Sequence, residues 1–172
     1  MYELKENTTG GKAVYKTLFN VSKEDDILIF EFYASHCSFN SFSDKFNDPI
    51  YNGDVVEVFI DLKEENHYLE IEVAPNGTMF VADIKNINGE FNGTLLNGDG
   101  ITSQIMKNNS DLIVKITLNS KNYDISEDAK FNAFRIDTDN KKANRHLFAL
   151  SPTLCGSFHK HEKFLSLKDY LN

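Results

Sequence analysis

The sequence predicts an all-β protein: an antiparallel β-sandwich, immunoglobulin-like or jelly-roll-like, forming a single domain over residues 1–172. Three observations carry that expectation. Apolar and polar residues alternate with a period of two in several short runs. Turn signals built from Asn, Gly and Pro separate those runs at close spacing, and little of the chain has a helical period. With 41 % hydrophobic residues the chain can bury a full core, and 172 residues suit one domain.

The elements follow in order. DILIFEFYA (26–34) alternates around Glu31 and predicts a central strand. After the turn-rich FNDPIYNG, punctuated by Pro49 and Gly53, DVVEVFID (54–61) predicts a second strand. KEENH (63–67) links it to YLEIEVA (68–74), and PNGT (75–78) is a tight turn, made by Asn76 among others, into MFVADI (79–84). NGEFNGTLLNGDG (88–100) reads as loop. TSQIMK (102–107) and LIVKITL (112–118) form a hairpin around NNSD, and NYDISED (122–128) reads as a single helical turn. FNAFRIDT (131–138) and HLFAL (146–150) form a further pair around the polar loop DNKKANR. Eight to ten strands result.

Composition excludes several functions. A formal charge of −8, from 18 basic and 26 acidic side chains, argues against nucleic-acid and anionic-membrane surfaces, which need clustered Lys and Arg. No apolar run is long enough for a transmembrane helix. MYELKENTTGG has no apolar signal region, so the default expectation is cytoplasmic, or extracellular if a leader has been trimmed. The two cysteines, Cys37 and Cys155, read as reduced thiols, with a disulfide as the alternative under export. His36, Cys37, Cys155, His159 and His161 are zinc-ligand types, but no CxxC or HxxxH pair organises them.

Polar groups gather where strands 54–61 and 68–74 pair. With Asp61 opposite Tyr68, Phe59 faces Glu70 and Glu57 faces Glu72. Val56, Val58 and Ile60 then share a core face with Leu69, Ile71 and Val73, while Glu57, Asp61, Glu70 and Glu72 surround Phe59 and Tyr68 on the other. Opposed like charges destabilise a ladder, so that face calls for a cation, a basic partner or water. Structural Ca²⁺ is one candidate, with Asp61, Glu72 and Asp137 as ligands, although no EF-hand spacing is present. Along FNAFRIDT, Asn132, Phe134 and Ile136 alternate with Ala133, Arg135 and Asp137, and Arg135 is the fork expected to meet those carboxylates or a ligand hydroxyl. Opposed glutamates alone do not make a glycosidase, and no GxSxG, HExxH or P-loop pattern appears, so the expectation is not an enzyme.

DVVEVFID, YLEIEVAPNGT, FNAFRID and LFALSPTLCGSFHKHEKFLSL, in that order, resemble the family 9 carbohydrate-binding modules and their DOMON-like relatives over residues 17–167. FHKHEKFLSL is similar to the family's terminal motif, with His161 where proline is usual. The resemblance implies a sandwich that grips a mono- or oligosaccharide between aromatic walls, as an accessory to polysaccharide degradation, with calcium bound elsewhere. The family's slot uses two tryptophans. This chain has 14 Phe and 7 Tyr but no Trp, so Tyr51 and Phe158 are the implied walls. Glu57, Glu70, Asn132 and Arg135 are the implied polar partners, followed by His159 and His36. Two alternatives stand beside this reading. One is a haem-binding DOMON-like domain with axial ligands from Met79, Met106 or His146; the other is an interaction sandwich that has lost the slot.

Overall fold

In the computed structural model, residues 1–64, 66–87, 90–139 and 144–171 are described. They form two antiparallel sheets packed face to face, as the alternation predicts. The smaller sheet contains β1 (Tyr2–Glu3), β3 (Thr17–Glu24), β4 (Ile27–Ala34), β9 (Ile101–Asn108) and β10 (Asp111–Asn119), in the order β1-β3-β4-β10-β9. The larger contains β2 (Lys5–Glu6), β5 (Val55–Asp61), β6 (His67–Val73), β7 (Met79–Ile87), β8 (Glu90–Leu95), β11 (Lys130–Thr138) and β12 (Arg145–Ala149), in the order β2-β12-β11-β5-β6-β7-β8. The short β13 (Leu165–Ser166) pairs with the start of β11. No helix among the described residues is long and apolar enough to cross a membrane.

The central hairpin has the expected register: Asp61 lies opposite Tyr68, Phe59 opposite Glu70 and Glu57 opposite Glu72. Val56, Val58, Ile60, Leu69, Ile71 and Val73 accordingly enter the core between the sheets. There they meet a phenylalanine cluster of Phe19, Phe30, Phe32, Phe131 and Phe148. Phe19 is its hub, with ring centroids 5.0 Å from Phe32 and 5.8 Å from Phe131.

Several boundaries differ from the sequence reading, each for a physical reason. β3, with TLFNVSKE alternating buried and half-buried, is a strand that reading passes over, as are β1 and β2. Residues 90–95, read as loop, form β8; it is exposed at every position, so no apolar alternation advertises it, and its ladder to β7 holds it in place. Asn88 and Gly89 of that segment lie outside the described residues, as do the central residues of DNKKANR. The helical turn expected at 122–128 is a 3₁₀ turn at Ser120–Tyr123, capped by the Asn119 side chain accepting from the Lys121 amide. The PNGT turn is as expected, with Gly77 at φ +89° and the Asn76 carboxamide accepting from the Thr78 amide.

Arg135 is placed differently from the sequence expectation. Phe134 pairs with Glu57 and Arg135 with Val56. Directly opposed residues share a face, so Arg135 points between the sheets, away from the carboxylate face. It is 2 % exposed, ion-paired with Asp137, bonded to the Thr17 hydroxyl at 2.9 Å and stacked over Phe148. Asp137, a candidate metal ligand, is thereby engaged; burial raises its pKa while Arg135 pulls it down. Removing one member of a buried pair strands the other. Arg135→Ala is therefore expected to destabilise the fold by about 3–5 kcal/mol, measured by urea denaturation.

Candidate functional site

The second face of the larger sheet is also largely covered, and alternation assembles it strand by strand. β5 contributes Glu57 and Phe59, and β6 contributes Tyr68, Glu70 and Glu72. By register, β7 adds Phe80, Ala82 and Ile84, while β8 adds Phe91, Gly93 and Leu95. On the other side β11 adds Phe134 and Ile136, and β12 adds Arg145 and Leu147. Over this floor lie Tyr51, from a 3₁₀ turn at Ile50–Asn52, and residues 156–159. Between them is a cleft of about 530 Å³ whose lining joins aromatic rings to three glutamates, Arg145 and His159. That size suits a small organic ligand.

Both overlying segments are anchored. Ile50 is fully buried beside Tyr51, and the Arg145 guanidinium donates to the Tyr51 carbonyl at 2.9 Å. Asp54, just beyond, accepts from the Asn40 amide, the Ser38 hydroxyl and both the amide and hydroxyl of Thr138. A side chain at Gly53 would put its Cβ 2.3 Å from the Asn40 carbonyl oxygen, so only glycine permits this close passage. Asn7, fully buried, accepts from the Thr153 amide and donates to the Cys155 carbonyl, and so holds the chain leading to residues 156–159.

Phe158 stacks on Phe134 at 4.2 Å between ring centroids and is nearly buried, so it is part of the floor as well as a wall. His159 is sandwiched between Phe91, at 4.2 Å, and Phe59, at 5.1 Å. Its Nδ1 is 2.7 Å from the Tyr68 hydroxyl. Burial lowers its pKa to about 4, so the imidazole is neutral near pH 7. Tyr51, 39 % exposed, meets Phe80 edge-on, and Phe91 is 53 % exposed; these two leave ring surface for a ligand.

The three glutamates are the site's electrostatic centre. Glu57, Glu70 and Glu72 are 2 %, 7 % and 1 % exposed. Each offers an oxygen, and these oxygens lie within 4.8 Å of one another. Burial first, and mutual repulsion second, push Glu57 and Glu72 well above the usual carboxylate range. Burial also raises Glu70 to about 7. Glu70 and Glu72 hydrogen-bond to each other, while the Oε2 of Glu72 is buried with no partner. Arg145 lowers Glu57 and Glu72, but from an exposed position.

Of the residues singled out in the sequence, Tyr51, Glu57, Glu70, Phe158 and His159 line the cleft together with Glu72. Arg135 lies on the opposite face, and Asn132, fully buried, ties β11 to Ser151 through bonds to its amide and carbonyl. Asp61 shares the glutamates' face but accepts from His161 Nε2 at 2.7 Å, farther along β5. The zinc-type residues are dispersed: His36 stacks on Tyr15, Cys37 contacts Asp54, Cys155 contacts Ser157 and His161 contacts Asp61. Both cysteines are free thiols, with Cys37 raised by burial to about 12. Of the haem-ligand candidates, Met79 packs against the core, Met106 is exposed on the smaller sheet and His146 packs edge-on to Tyr15.

The sequence reading passes over Phe80, Phe91 and Arg145. Extending the PNGT hairpin places Phe80 opposite Glu72, so that signal was present. Arg145 was assigned to a loop; starting the strand one residue earlier puts it opposite Thr138, on the Phe134 face.

No family model matches the chain, and no curated protein matches it. Two solved structures share its architecture. One, from Bacteroides uniformis, is described as a "putative carbohydrate-binding protein"; the TM-score is 0.73 at 11 % identity, over 95 % of this chain and 84 % of that one. The other is a family 9 carbohydrate-binding module from Caldicellulosiruptor kristjanssonii in complex with glucose, with a TM-score of 0.61 at 14 % identity, over 87 % of this chain and 74 % of that one.

The buried glutamates give stability a definite pH sign. Their folded pKa values lie above the unfolded value near 4.5, so the folded state holds protons that the unfolded chain has released, and stability falls as pH rises from about 4.5 through 7. His159 acts in the opposite sense between about 4 and 6.5, where the unfolded chain takes up the proton. Comparing variants isolates the glutamates. Glu72→Gln is expected to match the parent near pH 4.5 and to melt above it at pH 8, because the charge that burial penalises is gone. Thermal melts across that range check it.

Proposed function

We propose that this chain is a non-catalytic carbohydrate-binding domain of the family 9 and DOMON-like type, gripping a mono- or oligosaccharide in the cleft. Such a domain would serve as an accessory to polysaccharide degradation. The observation that carries the reading is the meeting of exposed aromatic rings, Tyr51 and Phe91, with buried carboxyl groups and Arg145 in one concave site. A pyranose has just these needs: its C–H faces pack on rings while its hydroxyls need paired acceptors and donors. Protonated or ionised, Glu57, Glu70 and Glu72 accept from sugar hydroxyls, and Arg145 donates. The likeness of fold to a module solved with glucose supports the same reading.

Tyr and Phe replace Trp at lower contact area, so modest affinity is expected. Crowded glutamates do not change the expectation of no catalysis. Opposed acids are common on paired strands, so their proximity alone assigns no glycosidase role.

Isothermal titration with a panel of mono- and oligosaccharides, beginning with glucose, tests the proposal. Tyr51→Ala and Phe91→Ala are each expected to weaken binding about 3–10-fold, the loss of one ring's stacking. Met106→Ala, on the smaller sheet, should leave it unchanged. Absence of heat with every sugar, with and without calcium, would leave the interaction-domain alternative in its place.

A further inference from the structure

We infer that Glu57, Glu70 and Glu72 form a binding site for one hard divalent cation, of the Ca²⁺ class, at the floor of the cleft. The geometry comes first. Each glutamate offers an oxygen, and these oxygens lie within 4.8 Å of one another, close enough for small side-chain adjustments to bring all three onto one ion at roughly 2.4 Å. Each glutamate comes from a strand with neighbours on both sides, β5 between β11 and β6, and β6 between β5 and β7. The donors are therefore held by ladders rather than by a loop.

The second observation is independent of the clustering. Glu72 is 1 % exposed and its Oε2 has no hydrogen-bond partner, although a buried oxygen of this kind ordinarily finds one. A buried carboxyl oxygen without a partner is costly, and a bound cation would satisfy it in place of the proton that burial otherwise retains. A second tight group among the described residues shows the contrast. Around Cys37, Asp54 and Asp137 the acids are already served by Ser38, the Asn40 amide, Thr138 and Arg135, so nothing there remains for an ion.

Charge selects the ion's class. Among the described residues the exposed Arg145 is the cation acting on Glu57 and Glu72, so once deprotonated the three carboxylates suit a doubly charged ion, and all-oxygen donors select a hard cation over zinc. Binding would displace the protons that the raised pKa values retain, so affinity should increase with pH. Three protein ligands leave coordination positions for water. Because the same glutamates line the cleft, a ligand hydroxyl could occupy such a position; that extension alone rests on the carbohydrate reading.

The test needs no sugar. Protein freed of metal with a chelator is titrated with CaCl2 at pH 8, and Tm is recorded with and without the ion. The expected result is one Ca²⁺ per chain and a raised Tm. Glu72→Gln should bind at least tenfold more weakly while melting, metal-free, at or above the parent, which separates lost coordination from lost folding. No heat and no change in Tm up to about 10 mM Ca²⁺, beyond the roughly 10⁻³ M range of weak calcium sites, would overturn the inference. So would a calcium response that survives in Glu72→Gln. Sugar titration of the chelator-treated protein reads the carbohydrate proposal separately, so either can fail alone.

Discussion

The register of β5 against its two neighbours is the constraint on which everything else rests. From Val55 to Ile60 every residue of this strand is buried, so neither face is free to slip into water. Val56 and Val58 lie in the core between the sheets, and Glu57 and Phe59 form the middle of the cleft. A shift of one residue would exchange the two sets, putting carboxylates among phenylalanines and valines in the cleft. Core and candidate site are thus two readings of the same hydrogen-bond ladder. The hydrophobic energy that fixes one also fixes the other.

That coupling accounts for what could be read in advance. YLEIEVA alternates and DVVEVFID carries Val56, Val58 and Ile60 at matching positions, so their pairing, their core face and the acidic cluster follow from the sequence, and the structure has that register. FNAFRIDT alternates equally well, but a period of two leaves open which face is which. Only its pairing with β5, Phe134 against Glu57, decides that Arg135 goes inward. A charged residue ordinarily belongs at a surface. Here Asp137, Thr17 and the Phe148 ring supply the compensation, and they come from three strands, β11, β3 and β12. Such tertiary compensation leaves no local trace. β8 illustrates the opposite loss: exposed throughout and rich in Asn and Gly, its segment gives no strand signal, although it contributes Phe91.

The electrostatics of the cleft differ in kind from those of the core. Between the sheets, the charged groups are matched: Arg135 with Asp137, and Asp54 with donors from Cys37, Ser38, Asn40 and Thr138. On the outer face, three acids are brought together and, among the described residues, the exposed Arg145 is the cation that acts on Glu57 and Glu72. A fold selected for stability alone would not keep that excess, because apolar residues of similar size would pack there at lower cost. The imbalance is the energetic mark of a surface shaped to meet something else, and its cost is carried by the well-packed hairpin beneath.

The cleft also has unequal sides mechanically. Its glutamate floor lies on central strands, laced on both edges, whereas Phe91, Gly93 and Leu95 stand on β8, the last strand in the order and hydrogen-bonded only to β7. An edge strand opens at far lower free energy than a central one. The two sides of the groove therefore breathe on different scales, a fixed jaw and a compliant one. An occupant seated against Phe91 would quiet that edge, converting a loosely held strand into a clamped one, and part of its binding energy would be spent on this local ordering.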